Sequence, residues 1–176
     1  MKPKRIFILG TVGCGKSTFA KKLSAMLKIK HYDLDDVFWT SKFNKKRTEK
    51  ERDKKFKSLC DKKEWIVEGV YSTWIEYGIK KADVVVLLKI PRLILFWRIT
   101  KRVVRREKQK QLGKERYRQS FRDYIGLLKA VMRYYSKASE RGYYKHKELV
   151  DKNKAKFVIL KTNKDIDNFF KDIKHS

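Results

Sequence analysis

The sequence predicts an α/β fold in three layers, a parallel five-stranded sheet with helices on both faces. Three observations point to it. The most apolar segments are short unbroken runs, Ile6-Phe7-Ile8-Leu9, Trp65-Ile66-Val67, Val84 to Ile90 and Phe157-Val158-Ile159-Leu160, the pattern of strands buried on both faces rather than half-exposed. Between them lie longer stretches with apolar residues at helical spacing, the crossovers that parallel neighbours require. The first run ends in a glycine-rich turn that opens the first of these stretches.

Element by element, a strand over Arg5 to Leu9 leads into a helix over Lys16 to Leu27, where Phe19, Leu23, Met26 and Leu27 recur at helical intervals. A short strand follows near Ile29 to Asp33, then a basic helix from about Thr48 to Lys62 and the strand Trp65 to Gly69. A short helix is predicted around Thr73 to Lys81, a strand over Val84 to Ile90, long helices on either side of Gly113, a last strand over Phe157 to Leu160 and a closing helix near Ile166 to Ile173. No internal repeat appears, and Gly and Pro are too scarce to form a flexible linker, so residues 1–176 read as one domain. The polar stretch Glu107 to Arg122 is the candidate excursion from it.

Residues Gly10 to Ser17 read G-T-V-G-C-G-K-S, a full match to G-x-x-x-x-G-K-[ST] in its required setting after a strand and before a helix. A loop that wraps phosphate with its own amides needs backbone conformations that glycine reaches cheaply, hence Gly10, Gly13 and Gly15. Lys16 neutralises the outer phosphates, Ser17 offers a hydroxyl to magnesium, and the helix opening there points its partly positive end at the anion. The predicted nucleotide-binding segment is Gly10, Thr11, Val12, Gly13, Cys14, Gly15, Lys16, Ser17 and Thr18, with ATP and Mg2+ as its ligands, in a three-layer P-loop NTPase fold.

Ligands of open parallel sheets bind beyond the carboxyl ends of the strands, and this sorts the carboxylates. Asp83 precedes its strand and falls at the opposite edge, whereas Glu68 closes its strand and is the predicted partner of Ser17 in holding magnesium. Asp33, Asp35 and Asp36 follow the second strand. Asp35 is the predicted group that orients an acceptor hydroxyl or takes its proton; a helix cap is the alternative use of this trio. In the segment after Pro91, Arg98, Arg102, Arg105 and Arg106 recur near helical intervals. Arg98 and Arg102 leave the active edge and are predicted to stabilise the transferring phosphoryl group, with Arg105 and Arg106 on a solvated basic face. Trp39 and Tyr71, just past active-edge carboxylates, are candidates to stack on an acceptor ring.

Composition narrows the class. Cys14 and Cys60 suit neither a bridge nor a ligand cluster, and His31, His146 and His175 lack ligand spacing, so no metal beyond nucleotide-borne magnesium is expected. Lys89, Pro91, Arg92 and Arg98 break the most apolar stretch short of membrane length, and Met1-Lys2-Pro3-Lys4-Arg5 lacks a secretory pattern. The expectation is a soluble cytoplasmic monomer or homodimer without membrane contact. The chain carries 47 Lys plus Arg against 20 Asp plus Glu, a formal net charge of +27. Such a field attracts polyanions, but the lysines are spread over nearly every segment and no nucleic-acid-binding module is recognisable. Nucleic acid is therefore expected as a nonspecific partner only.

The phosphate loop, with D-V-V-V-L-L-K-I-P followed by Arg98 and Arg102, resembles the P-loop kinases of the nucleoside-monophosphate and shikimate kinase group. More narrowly, H-Y-D-L-D-D-V-F-W, W-I-V-E-G-V-Y and P-R-L-I-L-F-W-R-I-T-K-R look like the adenylate-kinase-related topology-modulation, or FlaR-type, proteins. The resemblance implies an ATP-dependent kinase acting on a nucleotide, nucleoside or other small hydroxyl acceptor, with an acceptor-binding arm at about 35–62 and an arginine-bearing lid at about 105–122. It also implies that Arg98 and Arg102 serve the ATP side. One departure is clear: nucleoside-monophosphate kinases carry Asp-Gly-Phe-Pro-Arg after the third strand, and this chain has Glu68-Gly69-Val70-Tyr71-Ser72. The acceptor arginine is missing, shikimate-kinase-like acceptor arginines are not evident, and Lys80 or Lys81 is the nearby stand-in. The rival readings are a nucleotide-switched nucleic-acid-associated protein and a stand-alone NTPase.

Overall fold

The structure, a computed structural model, describes residues 2–41, 45–111, 121–139 and 142–175. Its strands are β1 (Arg5–Gly10), β2 (His31–Asp33), β3 (Trp39–Ser41), β4 (Lys45–Lys46), β5 (Trp65–Gly69), β6 (Val84–Leu88) and β7 (Phe157–Leu160). Five of them form one wholly parallel sheet in the order β2-β5-β1-β6-β7, and β3 pairs with β4 in a separate antiparallel ribbon. The helices are α1 (Lys16–Leu27), α2 (Leu34–Phe38), α3 (Glu49–Cys60), α4 (Glu76–Lys81), α5 (Arg92–Gln111), α6 (Phe121–Tyr134), α7 (Tyr143–Lys152) and α8 (Asn163–His175).

Period-two alternation explains the three layers. Ile6, Ile8, Ile66, Val84, Val86 and Leu88 face one side, where they pack with Phe19, Ala20 and Leu23 of α1, Leu95 and Ile99 of α5, Val131 of α6 and Phe169, Phe170 and Ile173 of α8. Phe7, Leu9, Trp65, Val67, Val85 and Leu87 face the other, against Leu34 and Val37 of α2, Phe56 and Leu59 of α3, Ile79 of α4 and Leu149 and Val150 of α7. Ile6 through Leu9 are fully buried, and side chains of this size contribute about 1.5–3 kcal/mol each on burial. Phe7 takes Trp65 and Phe56 edge-on, at centroid distances of 6.1 and 6.4 Å. Helix α4 reaches this cluster because Gly78 has no side chain: a Cβ there would lie 2.7 Å from both Phe56 and Phe7.

Local chemistry sets the helix starts. Thr48 and Glu51 form a reciprocal capping box at the start of α3, and the Asp165 carboxylate accepts from the Lys161 and Thr162 amides at the start of α8. The short helix predicted from Thr73 begins only at Glu76. Helices α2 and α7 and the β3–β4 ribbon were not predicted. Helices α5 and α6 are the two long helices expected around Gly113, and Gly113 itself, with residues 112–120 of the expected lid, lies outside the described residues. Among the described residues, no helix is long and apolar enough to cross a membrane.

The active edge follows from the topology. β1 is central, with β5 on one side and β6 on the other, and the chain leaves β1 toward β2 and β5 before returning for β6. A crevice therefore opens beyond the carboxyl end of β1, where the glycine-rich loop sits.

Candidate active site

The loop between β1 and α1 has the backbone that its glycines permit. Gly13 has φ 77° and Gly15 φ 95°, in the left-handed region that side chains disfavour. A Cβ on Gly13 would stand 3.0 Å from Ile99, so α5 closes tightly over the loop. Gly15 caps α1, and its carbonyl accepts from the Phe19 amide at 2.9 Å. The loop borders a cavity of about 750 Å³ that is also lined by Asp33, Asp35, Glu68, Arg98 and Arg102, and reaches Lys22, Ile166 and Phe170.

Ser17 and Glu68 meet directly, Ser17 Oγ donating to Glu68 Oε1 at 2.6 Å. Alternation in β5 turns Glu68 to the α1 side of the sheet with Ile66, and Glu68 is buried. Burial raises its carboxyl pKa, but His31, Lys16 and Ser17 outweigh that and hold it below the usual carboxylate value. His31 Nε2 lies 3.8 Å from Glu68 Oε1 and has no hydrogen-bond partner among the described residues. Lys16 folds back over the loop, its ammonium donating to the Thr11 carbonyl at 3.0 Å.

The aspartates after β2 divide their work. Asp33 is the N-cap of α2 and accepts from the Asp35 amide at 2.9 Å. Burial, with Glu68, Asp35 and Asp36 close by, pushes the Asp33 pKa up to about 6 against that hydrogen bond. Asp35 is left to face the cavity, where Tyr71 donates its hydroxyl to Oδ1 at 2.8 Å. Burial and then the Asp35 charge raise the Tyr71 pKa, so Tyr71 stays a protonated donor. The ring of Tyr71 is taken, stacked on Phe38 at 5.0 Å and set against Trp74 at 5.0 Å. Trp39 packs edge-on to Phe38 and lines neither this cavity nor the one beside it. Trp39 is therefore not placed to stack on an acceptor in either cavity, whereas the ring of Tyr71 joins Phe38 and Trp74 in an aromatic wall of the cavity beside this one and its hydroxyl serves Asp35.

From α5, Arg98 Nη1 donates to the Cys14 carbonyl at 3.3 Å. Arg102, one turn on, is half-buried, and its Nε has no partner among the described residues. Burial, then the like charges of Arg106 and Arg105, lower its pKa. Arg105 and Arg106 line neither cavity. Asp83, as expected, lies at the opposite edge, bound by the Lys4 and Arg5 amides and the Arg5 guanidinium. Cys14 and Cys60 are both buried and free.

Lys80 and Lys81 do not stand in for the missing acceptor arginine. They pair with Glu76 and Asp61 at 3.7 and 3.6 Å and line neither cavity. A second cavity, of about 590 Å³, instead borders Thr11 and Val12 on the other side of the loop and gathers Arg47, Arg52 and Arg133. Sequence reasoning missed these three because they come from separate elements and look like any other cation in so basic a chain. His146 was missed too. It is fully buried, its Nε2 donating to the Tyr71 carbonyl at 2.7 Å and its Nδ1 accepting from the Tyr134 hydroxyl at 2.9 Å. Burial pushes its pKa down to about 4, so the ring is neutral at physiological pH.

This donor set suits a nucleoside triphosphate carrying magnesium: a cradle free of Cβ atoms at Gly13 and Gly15, a lysine and two arginines around it, one with an orphaned Nε, and a hydroxyl–carboxylate pair of hard oxygens. Sheet and cradle together define a P-loop kinase fold. The profile of the AAA domain family matches residues 6–121, and the chain belongs to that family. It is 38% identical over 119 residues to the uncharacterized protein YqaC of Bacillus subtilis (strain 168), covering 66% of this chain and 67% of that one. A shorter stretch of 41 residues is 46% identical to the shikimate kinase of Rhodopirellula baltica, covering 23% of this chain but only 22% of that enzyme. Among solved structures, the chain resembles shikimate kinase from Bacteroides thetaiotaomicron with a TM-score of 0.56 and 14% identity over 98% of this chain and 97% of that one. A sugar kinase from Janibacter sp. gives a TM-score of 0.52 and 13% identity over 96% and 92%. At such identities the likeness is one of fold.

Proposed function

We propose that the chain is an ATP-dependent kinase that moves the γ-phosphate onto a small hydroxyl compound. The observation that carries this reading is the convergence of Lys16, Ser17, Glu68, Arg98, Arg102 and Asp35 on one cavity at the carboxyl edge of the sheet. In this reading Lys16 and the loop amides hold the phosphates, and Ser17 and Glu68 hold Mg2+, which when bound neutralises phosphate charge. Arg98 and Arg102 stabilise charge on the transferring group, and Asp35 accepts a hydrogen bond from the acceptor hydroxyl and takes its proton. Tyr71 keeps that carboxylate aimed. The acceptor arm is assigned to about 35–62 and the lid to about 105–122, of which 42–44 and 112–120 lie outside the described residues. The three segments that look like those of topology-modulation proteins support grouping the chain with them, and a cytoplasmic kinase is the reading that goes with that grouping.

The test is a transfer screen with γ-labelled ATP across nucleotides, nucleosides, sugars and other small hydroxyl compounds. Lys16→Ala should lower transfer by about 10³-fold or more while the far-ultraviolet circular dichroism spectrum stays unchanged. Near-normal turnover in that variant, or label released only as inorganic phosphate with every acceptor, overturns the reading.

A further inference from the structure

The second cavity adjoins the first, since Val12 and Val70 line both, and Tyr71 stands between them with its ring in the second and its hydroxyl on Asp35. It is small enough to suit a compact molecule rather than a polymer. Its charge is lopsided: Lys46, Arg47, Arg52 and Arg133 line it against the single carboxylate of Glu49. The arginines are not equivalent. Arg52 is already engaged, bonded to Asp53 at 2.7 Å and lying over Trp74 at 5.0 Å, which makes it part of the wall. Arg47, in the connection between β4 and α3, and Arg133, near the end of α6, have no ion-pair partner among the described residues. Beside them the hydroxyl of Ser72, a residue only 3% exposed, also has no hydrogen-bond partner among the described residues.

Unpaired guanidinium groups converging from two elements beside an orphaned hydroxyl are donors awaiting an anionic oxygen. The other wall, Phe38, Tyr71 and Trp74, is a row of aromatic rings. We infer that this cavity is the acceptor site and that the acceptor is an anionic hydroxyl compound. Its phosphate or carboxylate group sits on Arg47 and Arg133, with Ser72 beside it, and its body lies against the aromatic wall, so that its hydroxyl reaches Asp35 past Val12 and Val70. This rests on the kinase reading for the transfer step but not for the binding step.

Binding is therefore tested without turnover. The full chain is saturated with Mg2+ and the non-hydrolysable imido analogue of ATP, which occupies the phosphate loop, and titrated calorimetrically with phenyl phosphate, benzoate and phenol. The anionic probes are expected to bind at least 10-fold more tightly than phenol; phenyl phosphate leading indicates a phosphate monoester, benzoate a carboxylate. Arg47→Ala and Arg133→Ala should each weaken the preferred probe at least 10-fold while the imido analogue binds within 2-fold of the parent. Lys57→Ala, which removes the same charge from α3 away from the cavity, should leave probe affinity unchanged, separating a built site from the field of a +27 chain. Where an alanine variant unfolds, the glutamine substitution at that position serves instead. Equal binding of phenol, or arginine variants that bind the anions as the parent does, overturns the inference. Anion binding without transfer to any hydroxyl would remove the kinase reading and leave this one, and transfer to neutral acceptors would do the reverse.

Discussion

Asp35 and Asp33 are two residues apart and have opposite duties, and the difference is decided by a single hydrogen bond. Because the Asp33 carboxylate caps α2 by accepting from the Asp35 amide, the Asp35 side chain carries no capping role and its Oδ1 receives Tyr71 instead. Asp35→Asn therefore leaves the helix start intact while removing the proposed proton acceptor. Transfer should fall by about 10²-fold or more, with affinity for the imido analogue of ATP within about 3-fold of the parent. Tyr71→Phe should cost about 10- to 100-fold, since one hydrogen bond to a charged group is worth about 1.5–3 kcal/mol and the carboxylate itself survives. Equal losses of turnover and nucleotide affinity in Asp35→Asn would make the residue structural. The position of Asp35 beyond a strand end was legible from the sequence. The hydroxyl that aims it was not, because Tyr71 is 36 residues away and only the β2–β5 pairing brings the two strand ends together.

At the level of elements, legibility tracked length and periodicity. Continuous apolar runs declared β1, β5, β6 and β7, and the basic helix expected from about Thr48 to Lys62 is α3, Glu49–Cys60. Helix α2 has five residues and β3 and β4 only three and two, too few to express a period. Helix α7, reading Y-Y-K-H-K-E-L-V-D-K, hides its apolar side among lysines, yet its His146 ties two walls of the second cavity together. One ring nitrogen holds the Tyr71 carbonyl and the other the Tyr134 hydroxyl, next to Arg133. A histidine kept neutral in the fold resists protonation that the unfolded chain accepts. Its contribution is therefore fully present above about pH 6.5 and is lost as pH falls from there toward about 4, a loss on the order of 3 kcal/mol. Asp33 has the opposite sign: its raised pKa lets the folded state take up a proton first, so stability is gained as pH falls from about 6 toward 3.8. Urea midpoints of the parent and of His146→Gln should converge between pH 7 and pH 4, whereas those of the parent and Asp33→Asn should shift in the parent's favour over the lower part of that range. A parent-to-His146→Gln gap that does not change with pH would mean that the ring is not held neutral.

For the molecule as a whole, the net charge of +27 acts at two ranges that salt separates. Close in, Arg98 and Arg102 line a partly enclosed cavity, where screening is weak. Farther out, exposed lysines on α3, α7 and α8 and in the loops form a field that carboxylates offset only locally, as Glu148 does beside Lys145 and Glu76 beside Lys152. A field of this kind attracts a polyanion through counterion release and contributes little that depends on base sequence. Duplex DNAs of equal length and scrambled sequence should bind within about 3-fold of one another, and raising salt from about 50 to 200 mM should weaken all of them by about 10³-fold if six or more phosphates are neutralised. The imido analogue of ATP, gripped by backbone amides as well as by charge, should lose far less over the same range. Fluorescence anisotropy measures both on the same preparation. A duplex preferred 10-fold over its scrambled version, or retained at 500 mM salt, would show that the lysines form a specific nucleic-acid site, and the charge would then belong to function rather than to solubility and ligand capture.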